Sequence, residues 1–143
     1  MNSFSKIINN TQKNLTVSFT VCPARLKNEV FPNINLCVND KELLNGIVMQ
    51  ELHVSTQVRL LDTIDIKLNL KENCDLMLIK NIEVDGFNII PNFIEHSTYI
   101  TNDGIGSGPT EYLGVAGEWR FLINEPFYNW KHRATGGGCL LTP

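Results

Sequence analysis

Long apolar runs are missing from this 143-residue chain. None approaches the roughly 18 consecutive apolar residues that a membrane-crossing helix needs, so no membrane partner is expected. Basic clusters are equally scarce. With 12 Lys and Arg against 15 Asp and Glu the formal charge is -3, and direct nucleic-acid binding, which draws on clustered cations displacing counterions, is not expected. Trp130-Lys-His-Arg133 is the one short basic stretch, and it reads as the solvated end of a strand or turn. The first residues, Met1-Asn-Ser-Phe-Ser-Lys6, lack the basic start and apolar middle of a secretion leader, so the protein is expected to be made in the cytoplasm. The four cysteines, Cys22, Cys37, Cys74 and Cys139, show no C-x-x-C spacing. That argues against a zinc knuckle or a dithiol redox pair, and three of them are expected as small packing residues on strands.

Catalytic patterns are also absent. Asp103-Gly-Ile-Gly-Ser-Gly108 is rich in glycine but has no Lys-Ser/Thr pair and no helical pattern after it, so it is not a nucleotide-phosphate loop. His132 and Cys139 have no third group to orient them as a thiol and its base. The glutamates offer no basis for choosing a pair of glycosidase carboxylates. A non-enzymatic protein without a cofactor is the expectation. If a metal were held, Asp103 and Glu111 are the hard oxygen ligands that calcium would have to use.

What the chain does have is alternation. Leu15-Thr-Val-Ser-Phe-Thr-Val21, Asn33-Ile-Asn-Leu-Cys-Val38 and Ile64-Asp-Ile-Lys-Leu-Asn-Leu70 place an apolar side chain at every second position, the period of a strand with one buried face. Ile47 to Val54 and Thr56 to Leu61 read as two further strand runs. Asn39-Asp40 and, more sharply, Asp85-Gly86 between Ile82, Val84 and Phe87, Ile89 read as tight hairpin turns. A short strand from His96 to Ile100, a glycine-rich loop from Thr101 to Thr110, and a last regular strand from Trp119 to Ile123 follow. Strands recurring every 8 to 12 residues predict an all-β fold, a single antiparallel β-sandwich or jelly-roll of about eight strands. Its expected parts are an N-terminal arm (1–14), the sandwich (15–125) and an extended aromatic tail (126–143).

Both tryptophans and three more aromatics lie between Trp119 and Trp130. Trp119, Phe121 and Ile123 share one strand face and are expected in the core. Phe127, Tyr128 and Trp130 follow Pro126 and cannot all point inward from an extended segment. With Leu140 and Leu141 beyond the Gly136-Gly-Gly138 turn, they are the expected partner-binding anchors.

Two resemblances bear on function. Asn33 to Lys41, the Ile64 to Leu70 strand and Ile82-Glu-Val-Asp-Gly-Phe-Asn-Ile-Ile-Pro91 resemble the sheet pattern of small carbohydrate-binding β-sandwich modules, including calcium-dependent xylan-binding ones. That resemblance implies a surface glycan as partner, with calcium as its companion. An Asn- and Ile-rich β protein with an aromatic, glycine-rich tail is also similar to accessory structural proteins of tailed bacteriophage particles. This second resemblance implies a structural or attachment role in a virion, in a homo- or hetero-oligomer with other structural subunits. The virion role is the first expectation and the carbohydrate-binding module the alternative.

Overall fold

The computed structural model describes residues 14–24, 27–106 and 108–136. Within the described residues ten antiparallel strands form two sheets that face each other as a sandwich. The strands are β1 (Asn14–Pro23), β2 (Asn33–Val38), β3 (Lys41–Ile47), β4 (Leu52–Arg59), β5 (Ile64–Leu70), β6 (Met77–Val84), β7 (Phe87–Ile90), β8 (Ser97–Thr101), β9 (Tyr112–Leu113) and β10 (Gly117–Ile123). Sheet A runs β4-β1-β6-β7, with β9 also paired to β6; sheet B runs β3-β2-β5-β10-β8.

The alternating residues do what their period requires. Leu15, Val17, Phe19 and Val21 from sheet A meet Ile34, Leu36, Ile64, Ile66, Leu68 and Leu70 from sheet B in one core, each at most 2% exposed. Each such side chain contributes about 1.5–3 kcal/mol by leaving water. Two-residue turns set the register of both tight hairpins. Asn39 and Asp40 (φ 50° and 66°) join β2 to β3, while Asp85 and Gly86 (φ 48° and 82°) join β6 to β7, as the right-handed strand twist favours. Asp85 also accepts the Thr16 amide at 2.7 Å, tying the second turn to β1.

Local departures from the expected strands have local causes. The run Ile47 to Val54 is broken: β3 ends at Ile47 and β4 starts at Leu52, because Val48 turns into the core while its amide bonds the Pro32 carbonyl. His96 belongs to a short 3-10 turn, Ile94–His96, and β8 begins one residue later. Cys22 and Cys37 lie on strands, but Cys74 lies in the loop after β5, where burial pushes its thiol up to about 11.

The largest correction concerns the tail. Residues Phe127–Ala134 form a helix, α1, and not an extended segment. Pro126 precedes it and its carbonyl accepts the Asn129 and Trp130 amides. Lys131, His132 and Arg133 sit in its last turn, where cations suit the helix dipole. Gly136 at φ 79° then closes it, its N–H donating a hydrogen bond to the Arg133 carbonyl. Phe127 and Trp130, three positions apart, share the inward face. Phe127 packs edge-on against Phe87 of sheet A and Trp130 against Phe121 of sheet B, with ring centroids 5.9 Å apart in both pairs. The helix therefore bridges the two sheets at one end of the sandwich.

Strand β10 places β8. Its Gly117 lies opposite Thr101, and a Cβ there would collide with the Ile100 carbonyl and lie 2.7 Å from Thr101 Cα. Beyond β8 the glycine-rich loop is fastened at both ends. The Asp103 carboxylate accepts the Ile105 amide at 2.9 Å and bonds the Thr101 hydroxyl, and the Trp119 indole donates to the Thr110 carbonyl at 2.8 Å.

Three outcomes follow. Trp130→Ala lowers unfolding free energy by about 3–5 kcal/mol, as for other buried aromatics, whereas Tyr128→Ala, at a residue 45% exposed, changes it by less than about 1 kcal/mol; denaturant titration distinguishes them. Gly117→Ala destabilises by about 1–3 kcal/mol through overpacking, read in the same titration. The bonds from Thr101 and then Ile105 hold the Asp103 carboxyl below its ordinary 3.8. Its contribution is present above that value and is lost as pH falls through the lowered folded value, so an NMR titration of the Ile105 amide should show a midpoint below 3.8.

Candidate functional site

Strand β8 is the outer strand of sheet B, paired on one side to β10 with no strand on its other side among the described residues. Edge strands are usually guarded by Lys, Pro or a bulge. β8, Ser-Thr-Tyr-Ile-Thr, carries none of these. Its inward residues Ser97, Tyr99 and Thr101 are buried, and the Tyr99 hydroxyl donates to the Val115 carbonyl. Burial pushes that phenol up to about 12, so it stays neutral and structural. The outward residues, Thr98 and Ile100, face solvent, with Ile100 65% exposed.

The fastened loop rises beside this free edge and leaves a groove of about 360 Å³ lined by Glu95, Ser97, Thr98, Tyr99, Ile100, Gly106, Gly108 and Pro109. That volume lies within the ~300–1,000 Å³ of small-molecule sites. The chemistry is mixed. Glu95 supplies a carboxylate from the 3-10 turn, Thr98 a hydroxyl, the strand edge and the glycines main-chain groups, and Ile100 and Pro109 an apolar wall. A Cβ added at Gly106 or Gly108 would meet nothing within 4 Å, so the loop main chain borders open space. Sequence reasoning marked the glycine-rich loop but missed Glu95, Thr98 and Ile100. Alternation alone could have shown Thr98 and Ile100 outward, but not that their strand is an edge.

A second polar constellation lies on the outer face of sheet A. Cross-strand pairing of β1 with β4 sets Thr20 beside His53 and Ser18 beside Ser55. The Thr20 hydroxyl lies 2.9 Å from His53 Nδ1, His53 Nε2 lies 3.2 Å from Glu51, and Glu51 accepts from Lys80 at 2.8 Å. The Lys80 bond holds the Glu51 carboxyl below its ordinary value. Hydroxyl, imidazole and carboxylate are thus in a catalytic order, but the imidazole side chain is 69% exposed on an open sheet face. Pairs this wet contribute little beyond pinning side chains.

The residues expected from sequence fare unevenly. Phe127 and Trp130 are 0% and 5% exposed and hold this chain's own core together, so they are not surface anchors. Helical spacing turns them inward while Tyr128 points out. Leu140 and Leu141 lie outside the described residues. Asp103 uses its carboxylate to brace the loop, and Glu111 is held through its main-chain carbonyl, which accepts the Ile79 amide at 2.8 Å. Among the described residues, which include every Asp, Glu and His of the sequence, no three His, Cys, Asp or Glu form a group suited to a metal ion.

No protein-family model matches the chain, and no curated protein sequence does. Solved structures do match its shape. A carbohydrate-binding module, vCBM60 in complex with galactobiose, superposes with a TM-score of 0.51 at 16% identity, covering 74% of this chain and 96% of that one. The selenomethionine form of vCBM60, described as part of a circular-permutation link between two families of calcium-dependent carbohydrate-binding modules, gives a TM-score of 0.50 at 14% identity over 75% of this chain and 89% of that one. At such identities the likeness is one of fold: the chain has the β-sandwich architecture of these modules.

Proposed function

We propose that this protein is a non-catalytic carbohydrate-binding module that takes a short glycan in the groove beside β8. The observation that carries the proposal is the groove itself, mixed in chemistry and bordered by a braced loop, on a fold shared with a module that binds galactobiose. Sugars present hydroxyl rims and apolar C–H faces together. Glu95, Thr98 and the free main-chain edge match the rims; Ile100 and Pro109 match the faces. A carboxylate can accept from both hydroxyls of a vicinal diol, a charge-assisted pair of bonds.

The neighbours support this role, the alternative expected from sequence, over the virion role. Their support is for the type of ligand. The location rests on the groove of this chain.

Binding raises the melting temperature by mass action, by about 2.7 kcal/mol of added stability when ligand reaches 100 times the dissociation constant. A thermal-shift screen of neutral glycans, with galactobiose first, should give a saturable rise of several degrees for at least one of them. Gly108→Phe, whose added side chain meets open space at its root, should fold normally and lose that rise. A flat response across the panel contradicts the proposed function.

A further inference from the structure

We infer that the groove recognises neutral or amine-bearing sugars directly through the Glu95 carboxylate, with no divalent cation. This rests on the glycan-binding function proposed above and concerns how such a site works in this chain. Calcium takes six to eight oxygen ligands, with carboxylates prominent among them. The chain has 15 Asp and Glu in all, and every one lies among the described residues.

Many of those carboxylates already have other work. Asp75 accepts the Asn28 and Val30 amides at 2.8 and 3.2 Å, and Asp103 the Ile105 amide. Asp85 holds the Thr16 amide. Asp65 takes a two-point grip from Arg120 at 2.9 and 3.0 Å, Glu51 is paired with Lys80, and Glu125 with Arg133. These are loop braces and ion pairs, dispersed over both sheets. The donor set at the groove therefore does not fit the cation that the description of its structural neighbour names.

Glu95 stands apart. It is the one carboxylate lining the groove, its side chain is 65% exposed, and its neighbouring cation candidate is the His96 ring at 3.9 Å. That separation is too long for a hydrogen bond, which leaves both oxygens able to accept. The same position fixes the sign of the ligand. On β10 Glu118 lies opposite Ile100 and Arg120 opposite Thr98; Arg120 and Lys67 both engage Asp65, so the guanidinium beside the groove is already held. An anionic sugar would meet the open Glu95 carboxylate, whereas a neutral diol or an ammonium group would be held.

The test is calorimetric titration of the full chain with galactobiose and with digalacturonate, its carboxylated counterpart, in buffer containing calcium and in buffer containing EDTA. The expected result is galactobiose binding of equal affinity in both buffers, to within about twofold, and weaker binding of digalacturonate. Glu95→Gln, a change at an exposed position that leaves the melting temperature of the free protein unchanged, should weaken galactobiose roughly tenfold, the loss of a hydrogen bond to a charged group. Binding that EDTA abolishes and calcium restores overturns the metal-free inference and leaves the glycan-binding function standing. Unaltered affinity in Glu95→Gln overturns the role of that carboxylate, as does a preference for digalacturonate. Absence of binding to both sugars, and to every glycan in the wider screen, overturns the function together with the inference.

Discussion

The packing of one face of β10 holds the rest of the molecule in place. Trp119, Phe121 and Ile123 are all 0% exposed, and the first two serve a second purpose. Trp119 sends its indole N–H out to the Thr110 carbonyl and so fastens the far end of the glycine-rich loop. Phe121 receives Trp130 and thereby docks the helix that bridges the sheets. At the strand's start Gly117 lets β8 approach where any side chain would collide with it. Core, edge strand and loop are thus consequences of one seven-residue strand.

Much of this was legible from residue order. Period-two alternation located the inward rows of β1, β2, β5 and β10, because burying one face of a strand leaves little freedom in which residues are apolar. Asp85-Gly86 gave its turn because few residue pairs tolerate two consecutive positive φ angles. The helix was not legible by the same route. Its apolar signal consists of Phe127, Trp130 and Ala134 over two turns, too short for periodicity to outvote the aromatic content, and its stop signal, Gly136, was read as a turn in an extended tail. The site was still less visible. Glu95, Thr98 and Ile100 become a groove only because β8 is an outer strand and the loop stands beside it, and strand order depends on contacts between distant segments.

The division of labour among polar groups explains why the groove is the functional candidate. Elsewhere many carboxylates meet amides, Arg or Lys, as Asp75, Asp65 and Glu125 do, and Thr20, His53, Glu51 and Lys80 pair with one another in a row across sheet A. Beside β8 the balance differs: an exposed Ile100, an open carboxylate and an unpaired strand edge lie together on a braced frame. Exposed apolar area next to unused hydrogen-bonding groups is the surface that a sugar, apolar on its faces and polar at its rim, covers well. A frame fastened at Thr101 and Thr110 also reduces the ordering that binding would otherwise require.

Location is the central claim, and a two-dimensional amide NMR titration with galactobiose tests it most directly. Shifts concentrated on Glu95, Thr98, Ile100, Gly106 and Gly108 are predicted. Shifts concentrated instead on Ser18, Thr20, His53 and Ser55 across the sandwich, or none at saturating sugar, would contradict it.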